Sequence, residues 1–176
     1  MKTAKGRKYL DDFKKAPGGD YVYTGQIFVI SGPGHAKAAL AALSLLAAAA
    51  VIGSGCVNAA GLGNAFYVII PYICEAAAAF ALCWQTVKLC AAGRKIRAYV
   101  KDSAEKYLPA AAAGLIAAAT AGLIASAVYL IINGTGGKPV MCGVYLALKA
   151  VQTVTGILTR KLVRSIGWQD AGPQGT

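Results

Sequence analysis

Charge is scarce in this chain: only 14% of its 176 residues are Asp, Glu, Lys or Arg. An ordinary soluble domain carries about a quarter. Histidine is scarcer still. His35 stands alone, with no Cys or carboxylate at ligand spacing, so it reads as an interfacial residue and not as a metal ligand. The five cysteines include no C-x-x-C, the usual motif of a thiol oxidoreductase. Gly32-x-Gly34 and Gly61-x-Gly63 lack the Lys-Ser/Thr of a phosphate loop. No nucleophile, base and orienting group can be assembled, so the expectation is a non-enzymatic protein with no cofactor.

Apolar sequence fills the gap, at 57% of the chain. It is concentrated in four stretches, residues 36–57, 63–87, 109–132 and 139–159. Each reaches the roughly 20 residues that about 30 Å of hydrocarbon demands of a helix. Without water to satisfy exposed backbone groups, such spans must be helical. Strands are excluded because polar and apolar residues do not alternate along them. A soluble Ala-rich bundle is the competing reading, suggested by the weakly hydrophobic runs at 47–50 and 110–113.

Charge placement decides between the two. Lys2, Lys5, Arg7, Lys8, Lys14, Lys15 and Lys37 precede or open the first span. Lys88, Arg94, Lys95, Arg97, Lys101 and Lys106 follow the second, and Arg160, Lys161 and Arg164 follow the fourth. The two intervening loops hold Lys138 alone. This positive-inside pattern predicts an all-α membrane protein, a four-transmembrane-helix bundle with N- and C-termini cytoplasmic, in the plasma membrane. It also accounts for the net charge of +11 without nucleic acid, because no nucleic-acid-binding signature accompanies the basic residues. Anionic headgroups of the lipid bilayer suffice as the partner. The first apolar run reads as a retained signal anchor, not a cleaved signal peptide.

Three regions follow: a cytoplasmic leader at 1–35, a transmembrane domain at 36–166 and a flexible tail at 167–176. Tyr9, Leu10 and Phe13 share one face of a basic helical turn in the leader. After the breaker Pro17-Gly18-Gly19-Asp20, residues 21–30 are rich in aromatic and β-branched types and read as a short strand. That strand either packs under the bundle or docks another protein through Tyr21, Tyr23, Ile27 and Val29. The second helix is expected to continue into the cytoplasm through Lys88 to Val100, with Ser103 as the N-cap of a short turn beyond it. Pro109 would then open the third span, where its missing N–H costs nothing. Asn133-Gly134 and Gly136-Gly137 read as a tight turn between helices three and four.

Glu75 and Lys149 lie near the middle of the second and fourth spans. Ionised groups at that depth cost several kcal/mol, so they pair or line a polar cavity. At about 1.5 Å per residue their depths match within roughly a turn. Pro71, one turn before Glu75, leaves the Tyr67 carbonyl without its helical donor and suggests a kink. Asn64, Tyr67 and Tyr72 add polar atoms on one side, Gln152 and Thr153 on the other. The pair reads as a structural salt bridge, a site for a passing solute, ion or proton, or a dock for a charged partner helix. A fourth reading leaves one of the two uncharged.

Small residues carry the remaining signals. Gly114, Ala118, Gly122 and Ser126 recur every four residues, a ridge that lets two backbones approach in lipid. Ala38, Ala42 and Ala49 form a plainer row on the first helix. Cys56 and Cys142 fall at the outer face, where an oxidising compartment permits a disulfide. Cys74, Cys83 and Cys90 read as small apolar residues. Two functions are expected: a membrane subunit acting by helix–helix assembly with itself or another membrane protein, or a small oligomeric transporter or channel using Glu75 and Lys149.

Overall fold

A computed structural model describes residues 13–15, 19, 21–31, 34–59 and 61–173. Its frame is four long helices: α1 (Ala36–Cys56), α2 (Phe66–Ala91), α3 (Ala98–Asn133) and α4 (Pro139–Ser165). Each is long and apolar enough to cross a membrane. Even α1, the shortest at 21 residues, extends over about 32 Å at 1.5 Å per residue. The boundaries have local causes. Gly93, with φ +68°, turns the chain out of α2, and Gly134, with φ +69°, ends α3. Pro139 opens α4 at its first turn. Gly136 and Gly137 also take positive φ, giving the tight turn expected between the last two helices.

The helices pack in a ring, α1 against α2, α2 against α3, α3 against α4 and α4 back against α1. Their inward positions recur at alternating steps of three and four. On α4 these are Cys142, Tyr145, Lys149, Gln152, Gly156 and Thr159; on α2 they include Glu75, Ala79, Leu82, Thr86 and Leu89. That heptad spacing is the geometry of left-handed bundle packing. A glycine sits at each neighbouring pair. A Cβ at Gly156 would lie 2.8 Å from Ile116 Cγ1 and 3.5 Å from the Ala112 carbonyl oxygen, so α3 and α4 meet almost backbone to backbone there. Gly53 faces Leu148, Gly55 faces Tyr72, and Gly122 faces Glu75 and Pro71.

Two apolar clusters stand on either side of a polar layer. One joins Leu40, Ala47 and Val51 to Leu82, Leu89, Ile96, Leu108 and Leu115. The other, at the hairpin end, joins Ala59, Leu62 and Val68 to Cys142 and Tyr145. Bulky apolar residues including Ile52, Phe80, Trp84, Ile131 and Val140 are exposed on the outside.

Small strands close the opposite end. β1 (Phe13–Lys15) pairs antiparallel with β2 (Tyr21–Tyr23), Phe13 opposite Tyr23. β3 (Gln26–Ser31) is the centre of a three-stranded antiparallel sheet between β4 (Ile96–Arg97) and β5 (Gly167–Pro173). Because β3 enters α1, β4 lies between α2 and α3, and β5 leaves α4, this sheet ties both ends of the bundle's chain to one side.

Four expectations change. The strand at 21–30 is two strands, divided at Thr24 and Gly25, and both pair within the chain. The turn expected through Tyr9, Leu10 and Phe13 falls mostly outside the described residues, and Phe13 itself opens β1. The helical extension belongs to α3 and not to α2. Gly93 stops α2 at Ala91, and Arg97, not Ser103, is the N-cap of a 36-residue α3 that holds Pro109 in its interior. The tail expected to be flexible is ordered as β5 up to Pro173. Gly167 permits that pairing, since a Cβ there would fall 2.8 Å from the Ser31 carbonyl oxygen. Trp168 then packs against the larger core cluster.

Candidate functional site

Lys149 Nζ donates to Glu75 Oε2, and both side chains are fully buried. Since α2 and α4 are not neighbours in the ring, the ion pair reaches across the diagonal of the bundle. Its positions follow from the heptad seams, which aim residue 75 of α2 and residue 149 of α4 at the same axis. Aromatic rings flank the ammonium: its nitrogen is 5.0 Å from the centroid of Tyr72 and 5.2 Å from that of Tyr145. Such faces stabilise a desolvated cation by about 2 kcal/mol.

The polar layer continues along α4. Gln152 Nε2 donates to Ser54 Oγ of α1 at 3.3 Å, and Ser54 in turn donates to the Val51 carbonyl at 2.8 Å. Thr155 and Thr159 complete a buried polar stripe one and two turns further on. Ser126 of α3 donates back to the Gly122 carbonyl at 2.6 Å. Glu75 Oε1, Gln152 Oε1 and Thr159 Oγ1 have no hydrogen-bond partner among the described residues. An unpaired polar atom at such a place costs about 1–3 kcal/mol.

The residues singled out in the sequence separate into two groups. Tyr72, Gln152, Pro71 and Gly122 gather with Glu75 and Lys149. Asn64 and Tyr67 do not. Both are exposed at the hairpin end, where Tyr67 sits 6.4 Å, centroid to centroid, from Tyr129. Thr153 folds its hydroxyl back on the Lys149 carbonyl at 3.1 Å instead of reaching the pair.

The small-residue ridge is not one surface. Four residues overshoot a 3.6-residue turn by about 40°, so the row winds around α3. Gly114 is exposed, Ala118 half-buried, and Gly122 and Ser126 buried. Its inner half packs within the chain, against Glu75 and Pro71 of α2.

The disulfide that the sequence permits is not formed here: Cys56 and Cys142 are both free. Cys56 is exposed at the end of α1, while Cys142 is buried in the hairpin-end cluster with its thiol toward the Thr135 carbonyl. Tyr23 and Ile27 are buried, at 4% exposure each, and Val29 is exposed. The Tyr23 hydroxyl accepts from the Ala98 amide and donates to the Gln26 carbonyl, so it stitches the sheet to α3.

Ser54 of α1 and Tyr145, Gly156 and Thr159 of α4 were not singled out in the sequence. For those on α4 the signal is the three–four spacing, in which a polar stripe that also holds Thr155 occupies the positions that a soluble bundle gives to Leu and Ile. The assembled geometry holds two helices at opposite corners in one register through a charge pair. Comparison with protein-family models, with curated proteins and with solved structures finds no match for this chain.

Proposed function

We propose that this protein is a non-enzymatic membrane subunit that acts by helix–helix assembly, and that Glu75 and Lys149 lock the fold that presents its assembly surface. The observation that carries this reading is a pair of outward small-residue faces. Ala38, Ala42 and Ala49 of α1 are all exposed, as are Ala110, Gly114, Ala117 and Ala121 of α3. Alanine and glycine gain little from facing lipid, but they let a second helix approach closely. The partner is a second copy or another membrane protein, in a plasma membrane with both chain termini on the cytoplasmic side.

Disulfide cross-linking in native membranes tests the assembly surface. Single cysteines are placed at Ala42 or Ala117 in a background with the five native cysteines replaced. Ala42→Cys or Ala117→Cys is expected to form a covalent product of at least two chains, and Gly122→Cys, which points into the bundle, is not. No cross-linked product at either outward site would overturn the proposal.

Transport through the polar layer is the second reading, favoured by three buried oxygens without a partner among the described residues, Gln152 Oε1 and Thr159 Oγ1 on α4 and Glu75 Oε1 on α2. It requires that flux in proteoliposomes vanish when Glu75 and Lys149 are neutralised together while the fold persists.

A further inference from the structure

A cavity of about 620 Å³ opens at the basic end, between the last turns of α2, strand β4 and the first turns of α3. Lys88, Lys95 and Arg97 line it, and among the described residues no lining residue is acidic. Three separate elements supply these cations: the end of α2, the loop after it, and the strand that caps α3. Cations from three places in the chain thus border one concavity, unlike flanking lysines scattered along a helix end.

Its other walls suit an anion with an organic arm. Ser103 donates to Gln85 Oε1 at 3.1 Å, which takes up the carbonyl oxygen of Gln85 and leaves its amide N–H groups as donors. Ile27, Ala92, Val100 and Ala104 provide an apolar floor. Trp84 lies under the Lys88 ammonium at 5.0 Å, and the Tyr23 ring lies 5.3 Å from the Arg97 guanidinium. Glu105, a nearby carboxylate on α3, pairs with Lys101 at 3.7 Å and is not among the lining residues.

We propose that this cavity binds a phosphoester anion through Lys88, Lys95 and Arg97. Phosphate is favoured over a carboxylate because three cations bordering one concavity can meet more oxygens and more charge than a carboxylate offers. The source is either the headgroup of an anionic phospholipid or a soluble phosphoester. The site stands apart from the Glu75–Lys149 layer and does not depend on the assembly reading.

The test uses the whole chain in nonionic detergent, titrated with phosphatidylglycerol, phosphatidylcholine and glycerol phosphate, with bound molecules counted by native mass spectrometry. Saturable binding of one phosphatidylglycerol or glycerol phosphate per chain is expected, and no such binding of the zwitterionic lipid. The triple variant Lys88→Gln/Lys95→Gln/Arg97→Gln is expected to weaken it at least about tenfold, the loss of one or more charge-assisted contacts. The control Arg160→Gln/Lys161→Gln/Arg164→Gln removes equal charge at the same end and is expected to change affinity less than about twofold. Competition by glycerol phosphate assigns a soluble source, and its absence assigns the lipid headgroup. Ala92→Phe fills the cavity while keeping every cation, and is expected to abolish binding; it decides the matter if the triple variant fails to fold. Equal losses in the two triple variants, binding undiminished by Ala92→Phe, or no saturable binding of either phosphoester would overturn the proposal.

Discussion

Glu75 Oε1 of α2 rests against the backbone of Gly122 of α3. The place that a side chain at 122 would occupy is thus taken by a carboxylate oxygen and, at 3.5 Å, by Pro71 Cβ. Gly122→Leu is expected to destabilise the chain by about 3 kcal/mol through overpacking. Gly114→Leu, on the exposed turn of the same row, is expected to cost less than about 0.5 kcal/mol. Reversible unfolding in mixed micelles measures both, and equal costs would contradict the winding of the row into the core.

The same carboxylate carries the Lys149 ammonium on its other side, so either charge alone becomes an uncompensated buried ion. Glu75→Gln or Lys149→Met singly is expected to cost about 3–5 kcal/mol. The double variant is expected to return to within about 1 kcal/mol of the wild type, because a neutral pair has no charge to desolvate. A double-mutant cycle measures the coupling. Additive losses would mean that the two groups do not share one interaction.

β5 depends on the close approach of Gly167 to Ser31. Gly167→Val would set a side chain within 2.6 Å of Ser31 Oγ and separate the strands. Hydrogen exchange at residues 28–31 is expected to accelerate in this variant while α1 to α4 keep their protection. Unchanged exchange in β3 would show that β5 does not cover it.

Cys56 and Cys142 are expected to remain unlinked, giving the same mobility with and without reductant. A membrane-impermeant maleimide is expected to label the exposed Cys56 and Cys90 from opposite sides of the bilayer and to spare the buried Cys142 in the folded protein. Labelling of both from one side would contradict a membrane-spanning α2, which lies between them.

The four long apolar helices were legible because about 20 apolar residues in a row are a coarse signal, insensitive to detail. Glu75 and Lys149 were legible as partners because two charges at matched depth have few other solutions. The α2–α3 boundary was not, since Lys88 to Val100 holds no proline and its single glycine, Gly93, ends a helix only by adopting positive φ. The ridge misled because small residues every four positions look collinear on paper, yet they drift around a real helix by about 40° per step. Tyr145 and Thr159 were invisible to a search for charge. They emerge only when α4 is read at heptad spacing, where the inward face is polar and Val144, Val151 and Val154 face out. The pairing of β5 with β3 joins residues far apart in the chain, and no local pattern in Gly167–Pro173 announces it.

The central claim, assembly on a charge-locked fold, is tested most directly by the detergent-subtracted mass of the purified protein. Three forms are compared in mild detergent: wild type, Glu75→Gln/Lys149→Met, and Gly114→Leu/Ala117→Leu. The account predicts one discrete multi-chain mass shared by the first two and a single-chain mass for the third. A single-chain wild type whose proteoliposome flux is lost in Glu75→Gln/Lys149→Met would contradict it.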